Sequence, residues 1–202
     1  MTKSYEDYSL RKNIVYMAEV FYKPRSVVGA FRKQLSSFYS VFPLVVFIVL
    51  FEVSYVLDYL YQPSSFSFHV LGDLLGIPRA QYDLIQVFIF PVVHVADFLV
   101  FGAFIYAVSK LWKPFNLSVW NTLLCFMLVW NTIGLLGFVT ESLAIWCGLS
   151  FLFALQPVYL VVWIGYLMLF FLQQTQITKV QSAAISIIAI IAVLSFRMTF
   201  LG

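Results

Sequence analysis

The chain has 202 residues, of which 62% are hydrophobic and only 10% are charged, and its mean hydropathy is +0.94. Soluble domains carry roughly 45–50% apolar and about 25% charged residues, so this composition excludes a soluble globular protein and makes the lipid bilayer the expected partner. The net charge is +3, and no basic groove is interleaved with aromatic stacking residues, so we expect no nucleic-acid partner.

The N-terminal segment, residues 1–37, is predicted to be cytoplasmic and to contain an amphipathic helix. Pro24 suits the first position of that helix. Apolar residues follow at helical spacing: Val27, Val28, Phe31 and Leu35. Basic residues lie on or beside the other face: Arg25, Arg32 and Lys33. This pattern predicts a helix lying along the cytoplasmic headgroups, the alternative being a helix packed on the end of a bundle. The segment opens without a secretory signal, so the first apolar run should remain as an anchor.

Residues 38–202 are predicted to form a domain of five membrane-spanning helices, because five apolar runs reach the roughly 20 residues that a crossing requires. The runs are approximately Phe38–Leu60, Leu84–Ser109, Leu117–Val139, Leu143–Leu172 and Val180–Leu201. The fourth run is too long for one straight span. Gly148 and Gln156-Pro157 indicate that its crossing begins near Gln156 and ends near Leu172. The predicted fold class is an all-α membrane protein: a five-helix bundle with an N-terminal interfacial amphipathic helix.

The distribution of basic residues predicts the orientation. With a cytoplasmic N-terminus, ten of the twelve Lys and Arg residues fall on the inside, including Lys110, Lys113 and Lys179. Arg79 and Arg197 fall on the outside. The positive-inside rule therefore predicts a multi-pass integral membrane protein whose N-terminus is cytoplasmic.

Polar residues inside the predicted spans are candidates for a polar cavity: Glu52, His94, Asp97, Asn121 and Asn131. His94 and Asp97 are three residues apart and so share one helix face. A charge at bilayer depth costs at least ~2.5–3.5 kcal/mol, so Asp97 should face the bundle interior. Its expected partner is His94, Asn121 or Asn131. Glu52 is expected either to line a cavity with Asp97 or to bond a polar group on a neighbouring helix.

Three interpretations of the His94 and Asp97 pair are open. The pair could fix helix packing, it could mark a proton or ion pathway, or it could bind a metal. One histidine and one carboxylate are too few ligands for a metal site, so no metal and no cofactor are expected. If the pair is structural, Asp97→Asn should be tolerated; if it serves transport, that change should abolish pH-dependent flux. No catalytic motif is present, so no catalytic residue can be named.

Two stripes of small or weakly polar residues are predicted to be buried seams between helices, because small side chains let helices approach closely in lipid. The third run carries Ser118, Thr122, Cys125, Val129 and Thr132 at alternating steps of four and three. The last run carries Ser182, Ser186 and Ala189.

Four segments together resemble the YIP family of Ypt/Rab-interacting membrane proteins. The first, VFYKPRSVVGAFRK, is similar to the family's proline and amphipathic helix before the first span. The second, FGAFIYAVSKLWKPFN, resembles the family's end of the second span, with a Gly-Ala pair, a tyrosine and a basic residue. The third and fourth, LQPVYLVVWIGYLMLFFLQQT and ITKVQSAAISIIAII, are similar to its fourth and fifth spans. The chain departs from the family in lacking glycines after the second span and in carrying His94 and Asp97.

The resemblance implies a five-helix membrane protein with a cytoplasmic N-terminus. In eukaryotic members it implies association with prenylated small GTPases and a role in trafficking or membrane shaping. The short N-terminal segment here lacks the long cytoplasmic domain of many such members. The leading functional hypothesis is a non-enzymatic membrane scaffold or interaction protein, which could also form homo-oligomers. The alternative is a small transporter or channel built around Glu52, His94 and Asp97, and a lipid-modifying enzyme has no supporting motif.

Overall fold

A computed structural model describes residues 9–32, 37–61, 74, 76–115 and 117–201 of the chain. Within these residues the regular secondary structure is helical throughout. The α-helices are α1 (Leu10–Tyr22), α2 (Pro24–Arg32), α3 (Phe38–Tyr61), α4 (Arg79–Leu111), α5 (Val119–Trp146), α6 (Gln156–Gln174) and α7 (Lys179–Leu201). Short 3₁₀ helices occupy Lys113–Phe115 and Ser150–Leu155.

Four of these helices are long and apolar enough to cross a membrane: α4 over Val87–Leu111, α5, α6, and α7 over Lys179–Thr199. For the described residues this confirms the prediction of an all-α protein with helices able to cross a membrane. The first predicted span corresponds to α3, a continuous helix of 24 residues whose apolar part is Phe38–Ser54.

The long fourth apolar run is divided as the sequence predicted, because α6 begins at Gln156 and Pro157 lies in its first turn. The start of that run was assigned wrongly, since residues 143–146 belong to α5, which continues past Val139. The break follows at Gly148, whose φ of +67° lies in the left-handed region that glycine adopts without steric cost. A 3₁₀ segment then leads into α6.

Helix α5 is the centre of the bundle. It packs against α3, α4 and α6 and also contacts α1 and α2. Aromatic pairs join it to its neighbours: Phe126 stacks on Phe101 of α4 with ring centroids 3.8 Å apart, and Trp130 stacks on Trp163 of α6 at 4.1 Å. Helix α7 lies against α4 and α6, so α4 packs against both α5 and α7.

The predicted seam on α7 is confirmed, because Ser182, Ser186 and Ala189 are fully buried. Ser182 also donates a 2.9 Å hydrogen bond from Oγ to the backbone oxygen of Met168 in α6. The stripe on α5 is buried from Thr122 onward, but Ser118 is exposed. Ser118 is instead the N-cap of α5, and its Oγ accepts from the Asn121 backbone N–H at 3.4 Å.

The two N-terminal helices pack on the bundle. Helix α2 begins at Pro24, as predicted, and its Val27 and Val28 are fully buried. These two apolar residues therefore contact protein, which is what the alternative of a helix packed on the bundle end requires. Helix α1, which the sequence patterns did not predict, is held by a hydrogen bond from the Tyr166 hydroxyl to the Val20 backbone oxygen.

Candidate functional site: a buried charge cluster between three helices

Four polar side chains from three helices meet inside the bundle. His94 and Asp97 come from α4, Asn131 from α5 and Arg197 from α7. His94, Asp97 and Asn131 have no exposed surface, and the Arg197 side chain is 21% exposed. We call these four residues the charge cluster. They converge because α4 packs against both α5 and α7.

The hydrogen bonds of the charge cluster determine which ring nitrogen of His94 carries the proton. Asn131 donates from Nδ2 to the Met127 backbone oxygen at 2.6 Å, which leaves its Oδ1 facing His94 Nε2 at 2.7 Å. An amide oxygen can only accept, so Nε2 must donate. Arg197 can only donate, and its Nη2 lies 2.9 Å from Nδ1, so Nδ1 must accept. His94 is therefore the neutral tautomer with its proton on Nε2, and it connects α5 to α7.

Asp97 supplies the negative charge of the cluster. Its Oδ2 lies 3.7 Å from Arg197 Nε and 3.7 Å from His94 Nδ1. Both distances are too long for a hydrogen bond, and within the described residues neither carboxylate oxygen has a hydrogen-bond partner. The interaction with Arg197 is therefore an ion pair through space. His94 is not the hydrogen-bond partner that the sequence suggested for Asp97.

Aromatic rings enclose the charge cluster. Phe90 lies nearly parallel to the His94 ring at 5.5 Å, Phe47 lies 4.7 Å from it, and Phe98 meets it edge-on at 5.7 Å. The Arg197 guanidinium also lies over the Phe90 ring at 5.6 Å, within cation–π range. An apolar wall of this kind lowers the local dielectric and so strengthens the attraction between Asp97 and Arg197.

The remaining candidates for a polar cavity are not brought to the cluster. Asn121 lies in the first turn of α5, ten residues before Asn131 and hence roughly 15 Å away along the helix axis. Glu52 lies partly buried on α3, and among the described residues it makes no hydrogen bond or ion pair with the cluster. The structure thus joins His94, Asp97 and Asn131 and leaves Glu52 and Asn121 apart.

The three basic residues proposed for the membrane surface are only partly described. Arg25 is exposed on α2. Arg32 is the last residue of α2, and Lys33 lies outside the described residues.

Arg197 is the functional residue that sequence reasoning missed. Counting charges grouped it with the outside segments and gave it no partner, whereas in the structure Arg197 lies within α7 and pairs with Asp97. The signal available in the sequence was an arginine flanked by apolar residues on both sides within a long apolar run. Such a residue normally faces the bundle interior and has a partner.

The cavity next to the bundle centre lies away from the charge cluster. It has a volume of about 10 Å³, near the smallest that admits one water, and it is formed by α5 and α6 residues including Thr122, Cys125, Trp163 and Tyr166. Among the described residues no group of three or more His, Cys, Asp or Glu side chains could hold a metal ion.

Comparison of the chain with models of protein families, with curated proteins and with solved structures found no match. Its class is defined by its own features, namely that the described residues form helices and that four of these helices are able to cross a membrane. The charge cluster joins two of those helices to the central one.

Proposed function

We propose that this chain is an integral membrane scaffold, whose bundle presents fixed helix faces to lipid and to membrane-associated partners. The observation that carries the proposal is that each side chain of the charge cluster has a partner inside the bundle, Asp97 through its ion pair with Arg197. Both nitrogens of His94, the amide of Asn131 and the guanidinium of Arg197 are paired inside a wall of phenylalanine rings. The side chains of a transport site have to exchange such partners for water or an ion, whereas side chains that hold helices together keep them. We call the charge cluster in this second role the clamp.

The clamp acts on helices that are themselves connected to the rest of the bundle. It ties α4 to α5 and α7, while α5 packs on α3 and α7 packs on α6. A fixed arrangement of these helices is what an interaction protein needs in order to present the same surface to each partner. Because both charges are buried, any movement of α4 relative to α7 that separates Asp97 from Arg197 leaves two charges unpaired in an apolar setting. The clamp therefore favours one arrangement of these two helices.

The scaffold is proposed to cross the membrane five times with its N-terminus in the cytoplasm. Helix α3 supplies the fifth crossing, because its 24 residues extend roughly 36 Å and it packs along the central helix α5. With alternating crossings, the ends of the helices that carry Lys110, Lys113 and Lys179 lie on the same side as α1 and α2. This basic side is the cytoplasmic side under the positive-inside rule.

Labelling of single cysteines in intact cells tests this topology. Lys12→Cys, Ser65→Cys and Lys113→Cys are each introduced with Cys147→Ser, which removes the exposed native thiol. Residue 65 lies outside the described residues and within the predicted outer loop. An impermeant maleimide should label only the variant at 65. Labelling at 12 or 113 would contradict the orientation, and it would leave the clamp itself unaffected.

The resemblance to the YIP family extends the proposal to partners. Membrane-associated proteins are the proposed partners, with prenylated small GTPases the specific candidates if the chain is eukaryotic, and a second copy of the chain is a further candidate. Binding of a prenylated GTPase to the purified chain in nanodiscs, with the unprenylated form as control, tests the first candidate. If the prenylated GTPase binds equally well to nanodiscs without the chain, it is excluded as a partner. Chemical cross-linking in the native membrane tests self-association.

A transporter remains the second candidate function, and one observation favours it. Within the described residues, both Asp97 carboxylate oxygens and Glu52 Oε1 are buried without hydrogen bonds, as acceptors awaiting an ion or proton would be. Flux of protons and alkali cations into proteoliposomes decides between the two. The scaffold proposal expects no flux above empty vesicles. Flux that Asp97→Asn abolishes, while circular dichroism shows that the variant is folded, would establish the transporter instead.

A further inference from the structure

Helix α1 has two apolar sides, and among the described residues only one of them is buried against protein. On the inner side Val20 and Asn13 are fully buried, and the Tyr16 ring meets Tyr39 of α3 edge-on at 5.2 Å. On the outer side large apolar residues are half or more exposed: Leu10, Ile14, Phe21 and Tyr22. A short surface helix of a water-soluble protein would carry polar residues there.

The exposed apolar residues of α1 form one stripe. At 100° per residue, Leu10, Ile14 and Phe21 fall within roughly 40° of one another on the helix circumference. Val15 and Tyr22 extend this apolar surface on one side, about 80–100° beyond Ile14 and past the exposed Arg11. We call these five apolar residues the outer stripe. An exposed apolar surface of this kind, next to polar residues, marks a site of interaction with membrane or protein.

The position of α1 along the spanning helices indicates whether membrane or protein covers the outer stripe. The Tyr166 hydroxyl that bonds the Val20 backbone oxygen comes from a residue eight positions before the end of α6, or roughly 12 Å inside that end. The other end of α1 is also attached to the start of a long apolar helix, because Asn13 Nδ2 donates to the Phe38 backbone oxygen at 3.5 Å. Helix α1 therefore lies against the apolar helices themselves, between the start of α3 and the middle of α6, at a depth where the bilayer surrounds those helices.

Helix α1 also adjoins α3, whose outward face is apolar and exposed. Phe38, whose backbone Asn13 contacts, is exposed and begins the outward face of α3 that continues through Val45, Val49 and Val53. A protein partner would have to cover α1 while leaving the adjoining apolar residues in lipid, whereas the bilayer covers both surfaces at once.

Charge on α1 and α2 indicates the kind of lipid. Between Ser9 and Arg32 the chain has five basic residues, Arg11, Lys12, Lys23, Arg25 and Arg32, and one acidic residue, Glu19. Ser26 donates a hydrogen bond to that acid at 3.3 Å, so Glu19 faces its own chain. Basic groups beside an embedded apolar stripe attract anionic phospholipid headgroups.

We propose that α1 is an in-plane membrane anchor, whose outer stripe inserts into the leaflet at the Lys110 and Lys113 side of the bundle and whose basic residues bind anionic phospholipid headgroups. The orientation proposed above makes this the cytoplasmic leaflet. If that orientation is reversed the leaflet changes but the insertion does not, so the two proposals fail separately.

The experiment places a bimane probe on the full chain in nanodiscs, at Ile14→Cys or at Lys12→Cys, each with Cys147→Ser. These positions are two residues apart and lie on nearly opposite sides of α1, so Lys12→Cys is the matched control. Lipids with a nitroxide on the upper acyl chain should quench the probe at 14 several-fold more than the probe at 12. Aqueous iodide should show the reverse order. Equal quenching by iodide at both positions would overturn the proposal, because the stripe would then be open to water.

The lipid class is tested by repeating the iodide measurement at Ile14→Cys in zwitterionic nanodiscs and in nanodiscs containing anionic phospholipid. The probe should be better protected from iodide quenching in the anionic nanodiscs than in the zwitterionic ones. The triple change Arg11→Gln, Lys23→Gln and Arg25→Gln should remove that difference. The same protection in both lipids would overturn the anionic part of the proposal. Near-wild-type melting of the triple variant establishes that it is folded.

Discussion

The two halves of α7 are attached to the bundle by different chemistry. Near its start, Ser182, Ser186 and Ala189 form a seam of small residues, with one hydrogen bond from Ser182 to α6. Near its end, Arg197 contacts His94 and Asp97 on α4 through an ion pair and a hydrogen bond. Small-residue packing tolerates a range of helix positions, whereas a buried arginine has few acceptable partners. We infer that the seam brings α7 into contact and that the charge cluster fixes its position.

The largest effect is expected for Asp97→Leu, which removes the α4 partner of Arg197 at the charged end of α7. This change leaves the Arg197 guanidinium largely buried without its counter-charge, and removing one partner of a buried ion pair costs about 3–5 kcal/mol. Unfolding in detergent, followed by circular dichroism, measures the loss. Val92→Leu is the control, because Val92 is exposed on the same helix and should change stability little. A loss below about 1 kcal/mol, the usual size for an exposed ion pair, would mean that Asp97 and Arg197 are not a buried pair.

A smaller effect is expected for Asn131→Leu, which removes the acceptor for His94 Nε2–H. A buried donor left without a partner costs about 1–3 kcal/mol. The matched control is Asn121→Leu on the same helix, at a partly exposed position in its first turn, where substitutions usually change stability by about 0.5 kcal/mol or less. Equal melting temperatures for the two variants would contradict the role assigned to Asn131.

The smallest effect is expected at the seam, for Ser182→Ala. The change removes the hydrogen bond to Met168 but keeps the close packing, and hydrogen bonds between helices in membranes average about 0.6 kcal/mol. Ser195→Ala, at an exposed position on the same helix, is the control. If Ser182→Ala lowered the free energy of unfolding as much as Asp97→Leu does, the proposed difference between the two halves of α7 would be contradicted.

Much of the fold could be predicted from the sequence, because apolar runs and helix breakers are local signals. The start of α6 at Gln156 follows from a proline and a nearby glycine, and the burial of Ser182, Ser186 and Ala189 follows from their spacing. Helix α1 was missed because its apolar residues are divided between a face against protein and an outer stripe, which gives no single amphipathic pattern.

The charge cluster could be predicted only in part. The spacing of His94 and Asp97 places them on one face, but the partner of Asp97 is a hundred residues away in sequence, and only the packing of α7 against α4 brings it near. Arg197 also changes the expectation for Asp97→Asn. An amide cannot neutralise the guanidinium, so we expect this variant to be destabilised, although less than Asp97→Leu, because the amide still accepts hydrogen bonds.

A double-mutant cycle on Asp97 and Arg197 measures directly whether the charge cluster clamps α4 to α7. The variants are Asp97→Leu, Arg197→Met and the combination, with the free energy of unfolding measured for each in the same detergent. Replacing both partners of a buried ion pair by apolar residues is often neutral, so the double variant should be more stable than Asp97→Leu alone. The coupling energy should fall within about 0.5–3 kcal/mol. Additive losses, with the double variant the least stable, would contradict a clamp between these two residues.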